Sequence, residues 1–361
     1  MPKISIILIH YNTPQFLKTC LDHIFDQSYE NIETYFIDNN SPSKEGLEFV
    51  KKNYAQKQNS GRLHIIANKE NLGYAKAANQ GIRMAISGEH GSKADYIVIT
   101  NPDIIYSPTY FEKIVSYIER ENAEAKDSKN LPAGVTGKVY KYDFTNKKPT
   151  KIIDTVGLYI DRRFRVSDGA QGTEDKGQFD KEKEVFGISG ACPLYSVKAL
   201  EEAKIQLPDS PEEYFDEDFF MYKEDVDLSW RLQLLGWKFL YYPKAVAFHG
   251  RGTGVIERKT NWQIVRSRKF LNKFQRYYSF RNQRLMVMKN ALLMNYIRNF
   301  FQILINDVAT LFYLLFFEPS TLKALFSIYK LSPKIARKRK LIMAKRKIGA
   351  GKINKWMKAK P

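Results

Sequence analysis

Cysteine is nearly absent. The 361 residues contain two, Cys20 and Cys192, which excludes a disulfide framework and points to a reducing compartment. Met1-Pro2-Lys3 opens neither the charged region nor the long apolar region of a secretory leader, so a cytoplasmic chain is expected. Acidic residues are scarce in one place only. Residues 251–361 hold three acids (Glu257, Asp307, Glu318) against 26 Lys and Arg, a net of +23, whereas residues 1–250 carry a net of −4. A clean membrane span of about 20 uncharged apolar residues is also missing. The best candidate, Phe300 to Phe317, is interrupted by Gln302, Asn306 and Asp307, which suits a helix lying in the membrane plane or partly embedded. No internal repeat is visible, so repeat architectures are excluded.

What is present is a set of four apolar runs, each ending on polar residues. They are Ile4 to Ile9 before His10-Tyr11-Asn12, Thr34 to Ile37 before Asp38-Asn39-Asn40-Ser41, Leu63 to Ile66 before Asn68, and Tyr96 to Thr100 before Asn101-Pro102-Asp103. Short β-rich runs alternating with helical patterns predict parallel strands joined by right-handed crossover helices. In such α/β sheets a ligand binds outside the carboxyl ends of the strands, where these polar residues fall. Thr13-Pro14 predicts a capped helix start followed by Phe16, Leu17, Cys20, Leu21, Ile24 and Phe25 at helical spacing, with Cys20 in the core. Ser41-Pro42 predicts a second helix carrying Leu47, Phe49 and Val50, and Tyr74, Ala75, Ala78, Ile82 and Ala85 mark a third. Glu224-Asp225 opens a helix with Leu228, Leu232 and Leu235 on its apolar face. Between residues 125 and 185 the pattern turns irregular and charged, and Asp168 to Glu182 reads as a mobile or merely solvated loop.

Six motifs occur in order: Asp38-Asn39-Asn40-Ser41; Asn71-Leu72-Gly73-Tyr74-Ala75 with Asn79; Asn101-Pro102-Asp103; Ser189-Gly190-Ala191; Glu224-Asp225-Val226-Asp227 with Arg231 and Gly236-Trp237; and His249. Over residues 3 to 255 this set resembles the family 2 inverting glycosyltransferases of GT-A fold, a Rossmann-like, mostly parallel sheet with flanking helices. Within that family it is most similar to the rhamnosyltransferase-like and galactofuranosyltransferase-like branch. The resemblance implies a nucleotide-diphosphate sugar as donor and Mn²⁺ or Mg²⁺ as cofactor, because the leaving diphosphate is highly charged. It implies Asp103 and His249, with Asn101 beside them, as metal ligands. Asn101 stands where many relatives have an aspartate, which removes one negative charge from that set. Asp225 takes the general-base role, since inversion is a single displacement that needs one carboxylate to accept the hydroxyl proton. Glu224 and Asp227 support it. Asp38, Asn40, Asn12, Asn71, Gly73 and Asn79 are implied on the donor side, and Ser189, Gly190 and Ala191 on the acceptor side, with Gly190 acting through close backbone approach. Arg231 is open to two readings, an ion pair with Asp227 one turn earlier or a contact to phosphate.

The expected organisation is a catalytic domain over residues 1–265 and a helical, basic, membrane-associating region over 266–361. The last 28 residues, 334–361, hold 12 basic residues and no acid. A polybasic end beside an apolar segment suits the anionic cytoplasmic leaflet and a lipid-linked glycan acceptor. Nucleic-acid binding is the alternative for such charge, but the run Leu311 to Phe317 has no use there, so no nucleic-acid partner is expected. On this reading the tail only tethers, and its removal leaves catalysis largely intact. Rhamnose is the first expectation for the sugar, on the resemblance alone.

Overall fold

The computed structural model describes residues 1–125, 131–208, 210–250, 268 and 271–358. The expected domain boundary near 265 and residues Arg251 and Gly252, beside His249, lie outside the described residues. Four parallel strands form the first half of the sheet: β1 (Ile4–His10), β2 (Ile32–Asp38), β3 (Leu63–Ala67) and β4 (Tyr96–Thr100), in the spatial order β3-β2-β1-β4. Nearly every residue of β1, β2 and β4 is buried, as expected where helices cover both faces. Alternate residues of β1 feed two cores. Ile4, Ile6 and Leu8 meet Leu17, Cys20, Leu21 and Ile24 of α1 (Pro14–Phe25), while Ile7 and Ile9 pack on the side of Ala75, Ala78 and Ile82.

The connecting helices are α2 (Glu45–Asn53), α3 (Ala55–Asn59) and α4 (Tyr74–Ser87). Two helix starts differ from expectation. Pro14 does occupy the first turn of α1, but the Thr13 hydroxyl makes no capping bond; its backbone N–H donates to His10 Nε2 at 3.2 Å instead. Ser41-Pro42 opens no helix either, because the Ser41 hydroxyl is engaged by Asp38 at 2.5 Å and α2 begins only at Glu45.

The irregular, charged stretch holds sheet from 132 to 168, while residues 169–182 are the loop that the sequence suggests. After β5 (Ile104–Tyr106) and α5 (Tyr110–Glu124) come β6 (Pro132–Asp143), β7 (Lys148–Thr155), the hairpin β8 (Leu158–Ile160) and β9 (Val166–Asp168), and β10 (Lys183–Val185). The segment after β9 is pinned to this sheet. Lys138 pairs with Asp175 at 2.7 Å and with Asp180, and the Tyr241 hydroxyl donates to the Phe179 carbonyl at 2.9 Å. β11 (Leu194–Ser196) lies antiparallel between β4 and β6, followed by α6 (Val197–Ala203) and α7 (Glu224–Leu234). β12 (Lys238–His249) then runs parallel to β6 and antiparallel to β5.

The C-terminal region is α8 (Lys273–Asn290), α9 (Leu293–Arg298), α10 (Phe300–Phe317), α11 (Lys323–Lys345) and α12 (Ala350–Trp356). It shares one hydrophobic core with the catalytic half: Leu285, Met286, Ile335, Ile342 and Ile353 pack with Phe164, Phe186, Val226 and Trp230. By length and composition alone, α10 could cross a membrane. Its two faces differ, however. Ile303 and Leu314 are buried, Asn306 meets Arg165, and Asp307 meets Arg284 at 2.7 Å, whereas Phe301, Ile305, Val308, Phe312 and Phe316 are exposed.

Candidate functional site

Three loops at the carboxyl ends of β1, β2 and β3 interlock. His10, at the end of β1, holds Asp38 through Nδ1 at 3.0 Å, and Nε2 accepts from the Thr13 N–H, so the ring is neutral with its proton on Nδ1. Burial lowers the His10 pKa against the pull of Asp38, in agreement with that tautomer. Ser41 donates to the same Asp38 oxygen and accepts from the Asn12 N–H at 2.9 Å. Asn12 and Asn40 both adopt left-handed backbone, φ 53° and 60°, a region that asparagine tolerates better than most residues. Asn39 joins this edge to the next loop: its amide donates to Asn71 Oδ1 and the Gly73 carbonyl, and its oxygen accepts from Asn68 and the Leu72 N–H. Gly73 has φ 77° and lies against Phe220, where a Cβ would come within 2.5 Å of the ring. Asp38, Asn40, Asn12, Asn71 and Gly73 thus form one rigid edge, with the second oxygen of Asp38 buried and without a hydrogen-bond partner.

A second group is built by β4, β5 and β12. Asn101-Pro102-Asp103 is a strand-ending turn, closed by the Ile104 N–H on the Asn101 carbonyl, and it also presents a carboxylate. The antiparallel register of β5 and β12 sets Ile104 opposite His249, bringing Asp103 Oδ2 to 3.4 Å from His249 Nε2. Asp154, fully buried on β7, holds His249 Nδ1 at 2.8 Å. Burial opposes charging of this imidazole, but Asp154 and Asp103 outweigh it and raise its pKa to about 9. Burial likewise opposes ionisation of Asp103, and His249 overcomes it, holding the carboxyl below its ordinary range.

A divalent ion fits this pair. Two ligands at about 2.1 Å from one ion stand about 3 Å apart, close to the observed spacing, and Asp154 on Nδ1 directs Nε2 toward Asp103, as outer partners of metal-binding histidines do. Among the described residues no cluster of three or more His, Cys, Asp or Glu could hold a metal.

The third group is the start of α7. The Gly190 N–H donates to Asp225 Oδ2 at 2.8 Å, and the Val226 N–H donates to Oδ1 at 2.8 Å. Desolvation raises the Asp225 pKa, those two donors oppose it, and Asp168 at the end of β9 adds to the rise. Glu224 is pushed up to about 8 by desolvation and by Asp225, and its Oε2 is buried without a partner. Tyr74, at the first position of α4, connects the second and third groups: burial raises its phenol, and Glu224, Asp225 and Asp103 all act on it in the same direction. Its hydroxyl is buried and unbonded.

Several expected site residues sit elsewhere. Asn79 is fully buried and holds residues 214–217 through Tyr214 N–H, Phe215 N–H, the Phe215 carbonyl and Glu217, so its amide has no capacity for a donor. Arg231 makes the ion pair of the two readings, with Asp227 at 3.0 Å, and its remaining nitrogens go to the carbonyls of Ala203 and Tyr214. Asp227 is buried between Arg231, Lys289 at 2.9 Å and Asn290 at 2.7 Å, so it anchors α7 rather than lining the cleft. Ala191 belongs to the core beneath the cleft and Ser189 is buried beside it; only Gly190 of that motif touches a catalytic candidate. Sequence reasoning missed Asp154, Asp168 and Asn39, and it read Tyr74 as a helix marker. Only Asn39 carried a signal, its place between Asp38 and Asn40.

The sequence comparisons agree with this layout. A family model described as "Glycosyl transferase family 2" matches residues 5–203, and another, "Glycosyl transferase family group 2", matches residues 163–331. "Glycosyltransferase GlyG" of Streptococcus pneumoniae is 29% identical over 140 residues, 39% of this chain and 40% of that protein. "N-acetylglucosaminyl-diphospho-decaprenol L-rhamnosyltransferase" of Mycobacterium tuberculosis is 24% identical over 197 residues, 52% of this chain and 58% of that one. The matches thus span roughly half the length of these relatives. Among solved structures, S. aureus TarS 1–349 in complex with UDP overlays 98% of this chain and 89% of its own with a TM-score of 0.53 at 12% identity. GalNAc-T7 with UDP, GalNAc and Mn²⁺ overlays 79% of this chain and 51% of its own, with a TM-score of 0.51 at 13% identity. These likenesses establish the GT-A fold. With more than half its length matched by one family model, the chain belongs to glycosyl transferase family 2.

Proposed function

We propose that this chain transfers a hexose or deoxyhexose, rhamnose first, from a nucleotide-diphosphate donor to a lipid-linked glycan at the cytoplasmic face of a membrane, during assembly of a surface polysaccharide. The observations that carry the reading are the Asp103–His249 contact at 3.4 Å and the Asp225 carboxylate held by the Gly190 N–H at 2.8 Å, a metal-competent pair and a base-competent carboxylate on a family 2 chain. Asp38 and the edge formed by Asn12, Asn40, Asn71 and Gly73 would seat the nucleotide. Asp103 and His249 would hold Mn²⁺ or Mg²⁺, which when bound neutralises charge on the departing diphosphate. The rhamnosyltransferase relative, named for a diphospho-decaprenol acceptor, supports a lipid-linked substrate, and the GgaB protein of Bacillus subtilis, named for minor teichoic acid biosynthesis and 28% identical over 154 residues, supports surface polymer assembly.

Transfer with inversion places two demands on the start of α7. A base must accept the proton of the acceptor hydroxyl, and Asp225, oriented by the Gly190 and Val226 N–H groups and raised toward neutrality by its surroundings, meets that demand. Glu224, whose carboxyl is pushed up to about 8, can in its neutral form donate a hydrogen bond to a sugar or hydroxyl oxygen. Screening a panel of nucleotide sugars for metal-dependent turnover tests the reaction class. Asp225→Asn should then lower kcat roughly 10²-fold or more with the donor Kd nearly unchanged. Near wild-type turnover would remove Asp225 from the base role, and full activity in chelator would remove the metal.

A further inference from the structure

The turn that presents Glu224 and Asp225 is unusual in its backbone. Phe220, Tyr222 and Lys223 have φ of 63°, 69° and 73°, three non-glycine residues in the left-handed region within four positions. Such residues cost free energy and persist only where the surroundings over-determine them. The surroundings here come from two directions. On one side the Ala75 N–H donates to the Phe220 carbonyl at 3.2 Å, and the Phe220 ring occupies the space left by the missing Cβ of Gly73. On the other side stands α8. The Asn282 amide, fully buried, donates to the carbonyls of Phe219 at 2.8 Å, Met221 at 2.7 Å and Tyr222 at 2.9 Å. Two hydrogens thus serve three acceptors. Its neighbour Arg281 donates to the carbonyls of Asp218 and, at 3.2 Å, Phe219, and its guanidinium lies over the Tyr278 ring.

We infer that Asn282 and Arg281 are positioning residues for transfer: they hold the left-handed turn 219–223 in the one conformation that aims Glu224 and Asp225 into the cleft. Their part in transfer rests on the glycosyl-transfer reading; the clamp itself does not. Two features separate this role from general stabilisation. The backbone carbonyls they hold all lie within seven residues before Asp225, and the same turn contacts Gly73 of the donor edge and Ala75 beside it, so it ties the proposed nucleotide side to the base. By contrast, Lys289 and Asn290 on the same helix bond to the side-chain carboxylates of Asp216 and Asp227, and Lys289 meets the turn through the Phe219 ring, 4.7 Å from its centroid, rather than through a backbone carbonyl.

The test uses full-length Asn282→Ala, Asn282→Leu and Arg281→Met proteins. Amide hydrogen exchange should accelerate about 10-fold or more in peptides covering 219–227 while those of β1, β2 and β4 keep their wild-type protection. With whichever nucleotide sugar the wild type turns over, kcat should fall roughly 10-fold or more and the donor KM should change less than about threefold. Unchanged exchange at 219–227 overturns the clamp. So does exchange that rises evenly over the whole chain with a lower Tm and unaltered kcat. If the Asn282 proteins fail to fold, Arg281→Met carries the same comparison. If the wild type turns over no nucleotide sugar, the transfer reading falls and the exchange measurement still decides the clamp.

Discussion

Glu224 and Asp225 are neighbours in sequence with different surroundings. Two backbone N–H groups favour the ionised form of Asp225, whereas Glu224 meets burial, Asp225 and Asp227 with only Lys223 and its own backbone in opposition. Its folded pKa of about 8 lies above the ordinary carboxyl value of 4.5, so the unfolded chain releases this proton first. The stabilising contribution of the neutral carboxyl is complete below pH 4.5 and is lost as pH rises through 8. Glu224→Gln, which stays neutral, should therefore gain Tm relative to wild type progressively from pH 5 to pH 9, as differential scanning at matched pH would read. A difference that is constant over that range would mean Glu224 titrates normally. At the metal-competent pair the decisive outer residue is Asp154, which holds His249 Nδ1 at 2.8 Å and so orients the ring. Asp154→Asn should raise the Mn²⁺ concentration needed for half-maximal transfer about 10-fold or more, with Mn²⁺ titration of activity as the measurement.

At the scale of elements, α7 explains both what the sequence revealed and what it concealed. Leu228, Leu232 and Leu235 pack toward the sheet while Val226, Trp230 and Leu234 pack toward the C-terminal helices, so the helix is buried on both sides and its charged residues must be paired. The motif Glu224 to Arg231 was legible; the partners Lys289 and Asn290, more than 60 residues on, were not. Strands β1, β2 and β4 were legible because strands covered on both faces read as largely apolar runs, and the edge strand β3 by its short run Leu63 to Ile66. β6 was not, since Gly134, Gly137, Lys138 and Lys141 interrupt its pattern and its partner β12 lies 100 residues away. Asp154 on β7 was hidden for the same reason. Charge counting alone also did not show that part of the tail's charge is paired internally. Lys338 is fully buried among Glu213, Asp216 and Asp218 at 2.6 to 2.7 Å, with Lys289 beside it. These lysines support the segment leading to the base rather than a membrane surface. Lys338→Met should cost about 3–5 kcal/mol in urea unfolding, because breaking a buried pair strands the opposite charges. Truncation after Ser332, expected from sequence to be tolerated, should instead abolish the folded enzyme, since it also removes Ile335, Ile342 and Ile353 from the shared core. A truncated protein with wild-type Tm would show that the tail only tethers.

At the scale of the whole molecule, the proposed membrane contact combines an apolar face with charge that is partly spent internally. The helix α10 turns Asn306 and Asp307 to the protein and leaves Phe301, Ile305, Val308, Phe312 and Phe316 exposed, an arrangement suited to lying in the interface rather than crossing it. Leu293, Ile297, Phe326 and Tyr329 on α9 and α11 are exposed as well. Of the basic residues in the tail, Lys289, Lys334, Lys338 and Lys347 pair with acids of the catalytic half, so the field toward a membrane is weaker than the net +23 suggests. Each basic residue close to an anionic surface contributes about 1 kcal/mol, and this part alone is screened by salt. Apolar burial contributes roughly 25 cal/mol per Å² and is not screened. Binding to vesicles containing anionic lipid should thus weaken with salt yet reach a plateau set by α10. The double substitution Phe312→Asp with Phe316→Asp, confined to exposed positions, should preserve Tm and donor turnover while removing that high-salt plateau. Vesicle co-sedimentation at low and high salt, with duplex and single-stranded nucleic acid as competitors, reads both parts. A wild-type protein that stays in the supernatant at low salt, or that nucleic acid strips from the vesicles, would assign the basic surface to a different partner.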